Sequence, residues 1–411
     1  MARINITLDQ DEILRLLGED AGDAFQALLQ ESLDAVLRAE SAEQLRAEPY
    51  ERTEERTDRR NGTRKRPLVT RVGTIELTVP RHRNVPFRTL VFDNYRRSEA
   101  ALVTAMAEMV VAGVSTAKVG RVMTEICGRS PSKQAVSEAC AELDGAVEAF
   151  RTRPIEGPKP FLMAEATYLR VRVDHRVVSR ALLVAIVFTP FGRREVVGVE
   201  LAEAETAETW TAFLRSLVGR GLTGVKMFTS DAHEGLRAAL RAVLPGVPWQ
   251  RCQAHLARNV TDAAPKHLRA GLRLELVEMF NCKTLAAARR RRDEIAADYA
   301  EAAPRAVEAL DAGFEDAMTV MALPEGMRAC TRTTNYLERL NREIKRRTKV
   351  VGVFPSEASA LRLSAAVIEE MDEKWAASRK MYYSPAVEEL EACAPKLAEI
   401  AREQEKMERA A

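Results

Sequence analysis

The feature that most constrains the fold is a block of three apolar, β-prone runs set close together. They are "FLMAEATYLRVRV" (161–173), "RVVSRALLVAIVF" (176–188) and "RREVVGVELA" (193–202). Only a few polar residues separate them, and connections that short join antiparallel neighbours, so they predict a meander. The pattern then changes. A helical stretch (205–221) leads to the strand "VKMFTSD" (225–231), and a second helix starts near His233. A short strand "VPWQRC" (247–252) follows, and then helix again. One residue breaks the apolar logic of the first run: Glu165 sits inside a segment that otherwise reads as a buried strand.

The order β-β-β-α-β-α-β-α predicts an α/β domain with an RNase H-like core, its first and fourth strands adjacent at the centre of the sheet. From about 256 to 328, Leu and Ala recur at helical spacing with no strand signal. The core is therefore expected to be interrupted by an all-α insertion and to resume at the helix containing Glu338.

Ahead of the core, residues 8–47 have helical spacing, 51–66 are polar and basic, and "LVTRVGTIELTVPR" (68–81) reads as a ribbon turning about a Gly. From residue 98 come helical segments closing on Gly113 and Gly128, then a third beginning Ser130-Pro131-Ser132-Lys133-Gln134. Three short helices with tight turns resemble a helix-turn-helix, which would present Ser132, Lys133 and Gln134 to a major groove. Short helical hairpins without DNA have the same pattern. "RTRPIEGPKP" (151–160), with three prolines and a Gly, reads as a linker.

The expected organisation is 1–97 helical and β-ribbon (dimerisation, DNA contacts) and 98–150 helix-turn-helix. The first part of the core spans 160–256, the all-α insertion 257–330, the second part of the core 331–375 and a C-terminal helix 376–411. A chain of 411 residues accommodates several such units.

Net charge is only +2, but basic residues cluster at 56–66, 81–83, 289–292 and 339–349 while acids gather at 10–20 and 400–408. Separate basic patches on a near-neutral chain suit contact with a polyanion at several points; solvated helix faces are the plain alternative. The longest apolar stretch, 181–188, is too short to cross a bilayer. The first residues carry acids where a signal peptide needs an apolar block. Six scattered cysteines give no disulfide framework. Together these predict a cytoplasmic, nucleoid-associated protein with no membrane partner.

Strand alternation puts Met163, Glu165, Thr167 and Leu169 on one face, and Asp231 closes the fourth strand. With Glu338 arriving from a late helix, these acids would form an oxygen-rich pocket. Such a pocket suits two Mg²⁺ (or Mn²⁺) ions and phosphoryl transfer. Each acid also has a plainer reading. Glu165 would be a solvated strand acid, and Asp231 a helix N-cap. Glu338 would belong to a capping-box variant "NYLE" or form an i,i+4 pair with Arg342.

"SDAHEGL", "PWQRCQAHLARN" (248–259), "RTTNYLERLNREIKRRTKVVGVFPSEAS" (332–359) and "TWTAFLRSLVGRGLTGV" strongly resemble the bacterial Mutator-type insertion-sequence transposases. The resemblance covers nearly the full length, most densely about 160–260 and 330–370. It implies a DDE transposase that binds double-stranded DNA as a homo-oligomer, expected to be a dimer. Such an enzyme cuts and joins at terminal inverted repeats and at target DNA with two Mg²⁺ ions. The family's second Asp falls on Asp231 and its Glu on Glu338, followed two turns on by Lys345. Its C-x-x-H falls on Cys252 and His255, with His233 and Asn335 as further accessory residues. Arg170, Arg172, Arg339, Arg342, Lys345, Arg346 and Arg347 are the expected DNA contacts in the core. The family's first Asp falls on Glu165. Here the chain departs from the pattern, keeping the charge but reaching one methylene further. A transposase attenuated or silenced at this position, acting only as a sequence-specific DNA-binding protein, is the alternative.

Overall fold

A computed structural model describes residues 21–70, 73–89, 91, 103–127, 136, 140–141, 143–378, 380–384 and 387–410. The chain divides into two compact units, Met1–Glu142 and Leu143–Ala411.

In the first unit, helix α1 (Ala21–Leu45) packs on an antiparallel ribbon of β1 (Arg60–Thr70) and β2 (Gly73–His82), which turns at Thr70↔Gly73. Leu37 of α1 is buried with Leu68, Ile75, Leu77 and Val79, the inward positions of the ribbon. The ribbon was expected only from residue 68. Instead it begins at Arg60, so much of the basic stretch is strand, with a register shift near Gly62 (φ +73°). Consecutive basic residues hid this strand because Arg64, Lys65 and Arg66 occupy both of its faces and leave no apolar alternation before Leu68. Residues 103–111 are helical and pack with α2 (Thr116–Cys127) through Met106, Val119 and Met123, a cluster that Val136 joins. Ser132, Lys133 and Gln134 lie outside the described residues.

The second unit opens with α3 (Asp144–Thr152), and the expected linker after it is not one. Ile155 N–H donates to Arg220 O (2.7 Å) and Lys159 N–H to Thr223 O (2.8 Å), which ties 151–160 down along its length. The prolines restrict that backbone without freeing it.

Strands β3 (Phe161–Val173), β4 (Arg176–Phe188) and β5 (Arg194–Ala202) form the meander, and β6 (Met227–Ser230) and β7 (Trp249–Arg251) complete a sheet of order β5-β4-β3-β6-β7. β3–β4 and β4–β5 are antiparallel, whereas β3–β6 and β6–β7 are parallel. The β3–β4 turn is Asp174-His175, both at positive φ (46° and 63°) as a two-residue hairpin requires. Residues 181–188 of β4 are buried on both faces, which is why that run reads as uninterrupted apolar sequence.

One face of the sheet is covered by α4 (Ala207–Gly219) and α5 (Glu234–Val243). Leu162, Ala164, Leu183 and Ala185 meet Trp210, Phe213, Leu214, Leu236 and Leu240 there. Gly198 of β5 is needed for this approach, since a Cβ would stand 2.6 Å from the Phe213 ring. After β7 the described chain is helical: α6 (Gln253–Ala263), α7 (Arg269–Phe280), α8 (Leu285–Tyr299), α9 (Pro304–Ala317) and α10 (Glu325–Thr331). Then α11 (Asn335–Thr348) and α12 (Glu357–Ser378) return to the other face of the sheet. The C-terminal α13 (Val387–Ala410) closes the β7 edge: the Gln404 side chain accepts from Trp249 N–H (2.9 Å) and donates to Trp249 O (2.8 Å).

Candidate active site

β3 places Glu165 by simple alternation. Its even residues Leu162 and Ala164 face α4 and α5, so Glu165 points to the opposite face, where α11 packs. Glu165 Oε2 is buried with no hydrogen-bond partner. Burial pushes its carboxyl up to about 7. His255 opposes that shift, while Glu338 and Asp231 add to it by like-charge repulsion. Three acids from three separated stretches of sequence are thus within electrostatic reach of one another.

Asp231 follows the last residue of β6, and β6 is held in parallel register with β3 (Met163↔Thr229). It does not cap a helix: the N-cap of α5 is His233, and Asp231 Oδ1 is buried without a partner. His233 Nδ1 lies 3.6 Å from Glu205 Oε1. Gly235 lets α5 start against α4, because a Cβ would meet Ala207 N at 2.8 Å.

Glu338 lies in the first turn of α11, which has no capping box: Thr334 is the N-cap and makes no side-chain cap bond. Nor does Glu338 pair with Arg342 among the observed ion pairs. Its Oε1 is 3.2 Å from Arg258 Nη2 and 3.6 Å from His255 Nε2. The approach to α11 is stitched to the sheet at three points. Thr229 Oγ1 donates to Thr331 O (2.8 Å), Gln253 N–H to Arg332 O (3.1 Å), and Thr334 N–H to Cys252 Sγ (3.3 Å). Tyr336 packs edge-on against Phe188 and Tyr382, and beside Arg194, whose guanidinium stacks on Trp375 at 3.5 Å; this fixes the roll of α11.

Cys252 is the joint of this assembly. Its N–H donates to Ser230 O (2.8 Å), one residue before Asp231, and its thiol takes both the N–H and the hydroxyl of Thr334 (3.5 Å). Burial alone would raise the thiol, but His255 and Thr334 outweigh it and hold it below its ordinary value. Cys252 in turn raises His255 against the effect of burial, helped by Glu165 and Asp231. His255 Nδ1 makes no hydrogen bond of sound geometry, so the Cys252–His255 attraction is one of proximity.

Among the described residues, no three His, Cys, Asp or Glu side chains stand close enough together to hold a metal ion. The donor chemistry nevertheless suits a hard divalent cation: Glu165 and Asp231 each leave a buried oxygen unpartnered, and a third carboxylate, approached by Arg258 and His255, acts on Glu165 electrostatically. Two residues of the pocket were missed at the level of sequence. Asn341, one turn after Glu338, is buried beside Glu165 with its Oδ1 accepting nothing. Arg258 lies one turn after His255. The i,i+3 spacing from residues already singled out was the available signal for both.

The basic residues fall into two groups. Arg339, Arg342 and Lys345 are exposed along α11, and Asn335 is exposed at its start. Arg346 is exposed but forms a bidentate pair with Glu343 (2.7 and 2.8 Å). Arg347 corrects the expectation of a DNA contact. Its guanidinium is buried between Glu343 (2.7 Å) and Glu370, because the turn of α11 points it at α12 rather than outward. Arg170 and Arg172 are exposed on the face of β3 opposite Glu165, where the backbone on either side of Val171 pairs with Phe354.

Residues 3–378 match the family described as "Transposase, Mutator family". This chain belongs to the Mutator transposase family. Among its relatives, the transposase for insertion sequence element IS256 in transposon Tn4001 of Staphylococcus aureus is 36% identical over 386 residues, covering 93% of this chain and 99% of the relative. The transposase for IS406 of Burkholderia multivorans is 38% identical over 360 residues (87% and 92%). That for IS1081 of Mycobacterium tuberculosis is 37% identical over 376 residues (91% of each). In this Mutator transposase, no helix of the described residues is long and apolar enough to cross a membrane.

Proposed function

We propose that this protein is the transposase of an insertion sequence, binding terminal inverted repeats as a homodimer and cutting and joining DNA strands by DDE-type chemistry. The second unit would be an RNase H-like core with an all-α insertion, and residues 98–150 a helix-turn-helix. The observation that supports the reading is a buried, unpartnered oxygen on each of Glu165 and Asp231, with Asp231 and Glu338 both acting electrostatically on Glu165, in a chain of the Mutator family.

Glu165, Asp231 and Glu338 would hold two Mg²⁺ or Mn²⁺ ions, which supply activation of the attacking oxygen and charge neutralisation at the leaving oxygen. The chain's own contribution is rigidity. Glu165 stands on β3 and Asp231 directly follows its partner strand β6, while Glu338 stands on a helix fastened to them through Cys252 and Thr334. Holding the backbones that carry the carboxylates in place before DNA arrives lowers the cost of gathering three like charges during the reaction. Arg339, Arg342 and Lys345 would contact phosphates on the approach to the pocket.

A silenced relative that binds transposon ends without cutting is favoured by one observation, the Glu at 165, whose added methylene shifts the ligand oxygens by on the order of 1 Å. The test is Mg²⁺-dependent nicking of a duplex carrying the element's terminal repeat. Nicking that vanishes with EDTA supports the enzyme; tight binding with no nicking or joining supports the silenced relative. Binding should weaken steeply with salt, through counterion release at several phosphates.

A further inference from the structure

One cation at the rim of the acidic pocket has no role in the scheme above. Arg258 lies on α6 three residues after His255, so the two share one side of that helix. Its Nη2 reaches Glu338 Oε1 at 3.2 Å, the same oxygen that His255 Nε2 approaches at 3.6 Å. About half of the Arg258 side chain (52%) is open to solvent, against 24% for Glu338. An ion pair so exposed adds little to stability. Deeper in the pocket, Glu165 Oε2 and Asp231 Oδ1 have no partner at all.

The charges are therefore arranged unevenly. Glu338 is engaged by cations, while the two acids it must join are not. A phosphodiester entering the pocket brings negative charge to a place already lined with carboxylates. The planar fork of a guanidinium matches two nonbridging phosphate oxygens, as an ammonium does not. Arg258 is the exposed guanidinium that already touches one of the three acids.

We propose that Arg258 is a phosphate-contacting residue, held on Glu338 in the resting protein and transferred to a nonbridging oxygen of the scissile phosphodiester when Glu338 turns to bind metal. One contact is exchanged for another and no covalent bond changes. The resting pair competes with the metal for Glu338 until DNA offers Arg258 a better partner. The proposal rests on the DDE reading, and its test separates the two.

The nick made by the wild-type protein is first mapped on an unmodified end duplex. A second duplex then carries a methylphosphonate, uncharged and lacking one nonbridging oxygen, at that phosphate. Arg258→Ala should nick the unmodified duplex at least about 100-fold more slowly while melting at the wild-type temperature, and Arg258→Lys should recover only part of the loss. The methylphosphonate should slow the wild type far more than Arg258→Ala, because the variant has no contact left to lose. Equal slowing of both proteins overturns the phosphate contact. Mn²⁺ binding without DNA, followed by electron paramagnetic resonance, reads the resting hold. Arg258→Ala should bind Mn²⁺ at least about threefold more tightly, since a competing cation has gone. Unchanged affinity overturns that hold. A wild-type protein that nicks no end duplex contradicts the DDE reading, and the Mn²⁺ titration still decides whether Arg258 restrains Glu338.

Discussion

The sheet and the helix that closes over it carry their charges in opposite ways. On the sheet side, Glu165 and Asp231 are half-buried and each keeps one buried oxygen that bonds to nothing, and burial pushes the Glu165 carboxyl up to about 7. On α11 and α12, Glu343 and Glu370 are wrapped by Arg346, Arg347 and Lys374, and both are held down at about 2. The first arrangement costs stability and leaves ligand atoms free. The second contributes stability and leaves nothing free. Carboxylates that serve the fold are paired within it, and those that await a ligand are not. Glu338 stands between the two, on the helix but facing the sheet, and its pairing with Arg258 and His255 is correspondingly loose.

The largest expected effect breaks the comparison on the sheet side. Asp231→Asn should lower end nicking by about 10³-fold or more while leaving thermal stability within about 1 kcal/mol of wild type, measured by single-turnover nicking and by melting. A large loss of stability would move Asp231 into the structural class.

Arg347→Ala tests the helix side. Glu343 and Glu370 would lose a buried partner, and chemical denaturation should show a loss of about 2–4 kcal/mol. The pH dependence follows from the sign of the shifts. Both acids are depressed when folded, so their stabilisation is present above about pH 4.5 and disappears as pH falls toward 2. Arg347→Ala should flatten that acid limb.

Glu165 has the opposite sign. Its folded value is raised from 4.5 to about 7, so the folded protein keeps a proton that the unfolded chain gives up. The native state is therefore penalised progressively as pH rises from 4.5 through 7, and not at all below that window. Glu165→Gln should stabilise the metal-free protein by about 1–3 kcal/mol at pH 8 and leave it unchanged at pH 4, read from denaturation midpoints. No gain at pH 8 would mean that Glu165 is solvated in solution. The smallest effect is Arg346→Ala, an exposed pair on the same helix, which should stay within about 0.5 kcal/mol.

Much of this contrast could be read from residues in order. The meander was legible because apolar runs and short turns have few other solutions, and the burial of 181–188 on both faces is the structural counterpart of its unbroken apolar sequence. That Glu165 and Asp231 would stand on adjacent strands followed from element order and period-two alternation, and the parallel β3–β6 pairing matches it. Other features depend on packing that no local pattern encodes. The strand from Arg60 was hidden by consecutive basic residues, and the proline-rich 151–160 looks like a linker although its backbone is bonded to the core. Arg347 reads like its neighbours Lys345 and Arg346, yet one further step round α11 turns it inward to Glu370. Arg258 and Asn341 enter the pocket only because α6 and α11 are tied together through Cys252 and Thr334.

The central claim is that Glu165, Asp231 and Glu338 act as one metal site despite their separation in sequence. The most direct measurement is Mn²⁺ binding, by stoichiometry and affinity, in the wild type and in Glu165→Gln, Asp231→Asn and Glu338→Gln. Two bound ions in the wild type, with each single substitution weakening binding at least about tenfold, is the predicted result. Any one variant that binds Mn²⁺ as the wild type does would remove that residue from the site and contradict the account.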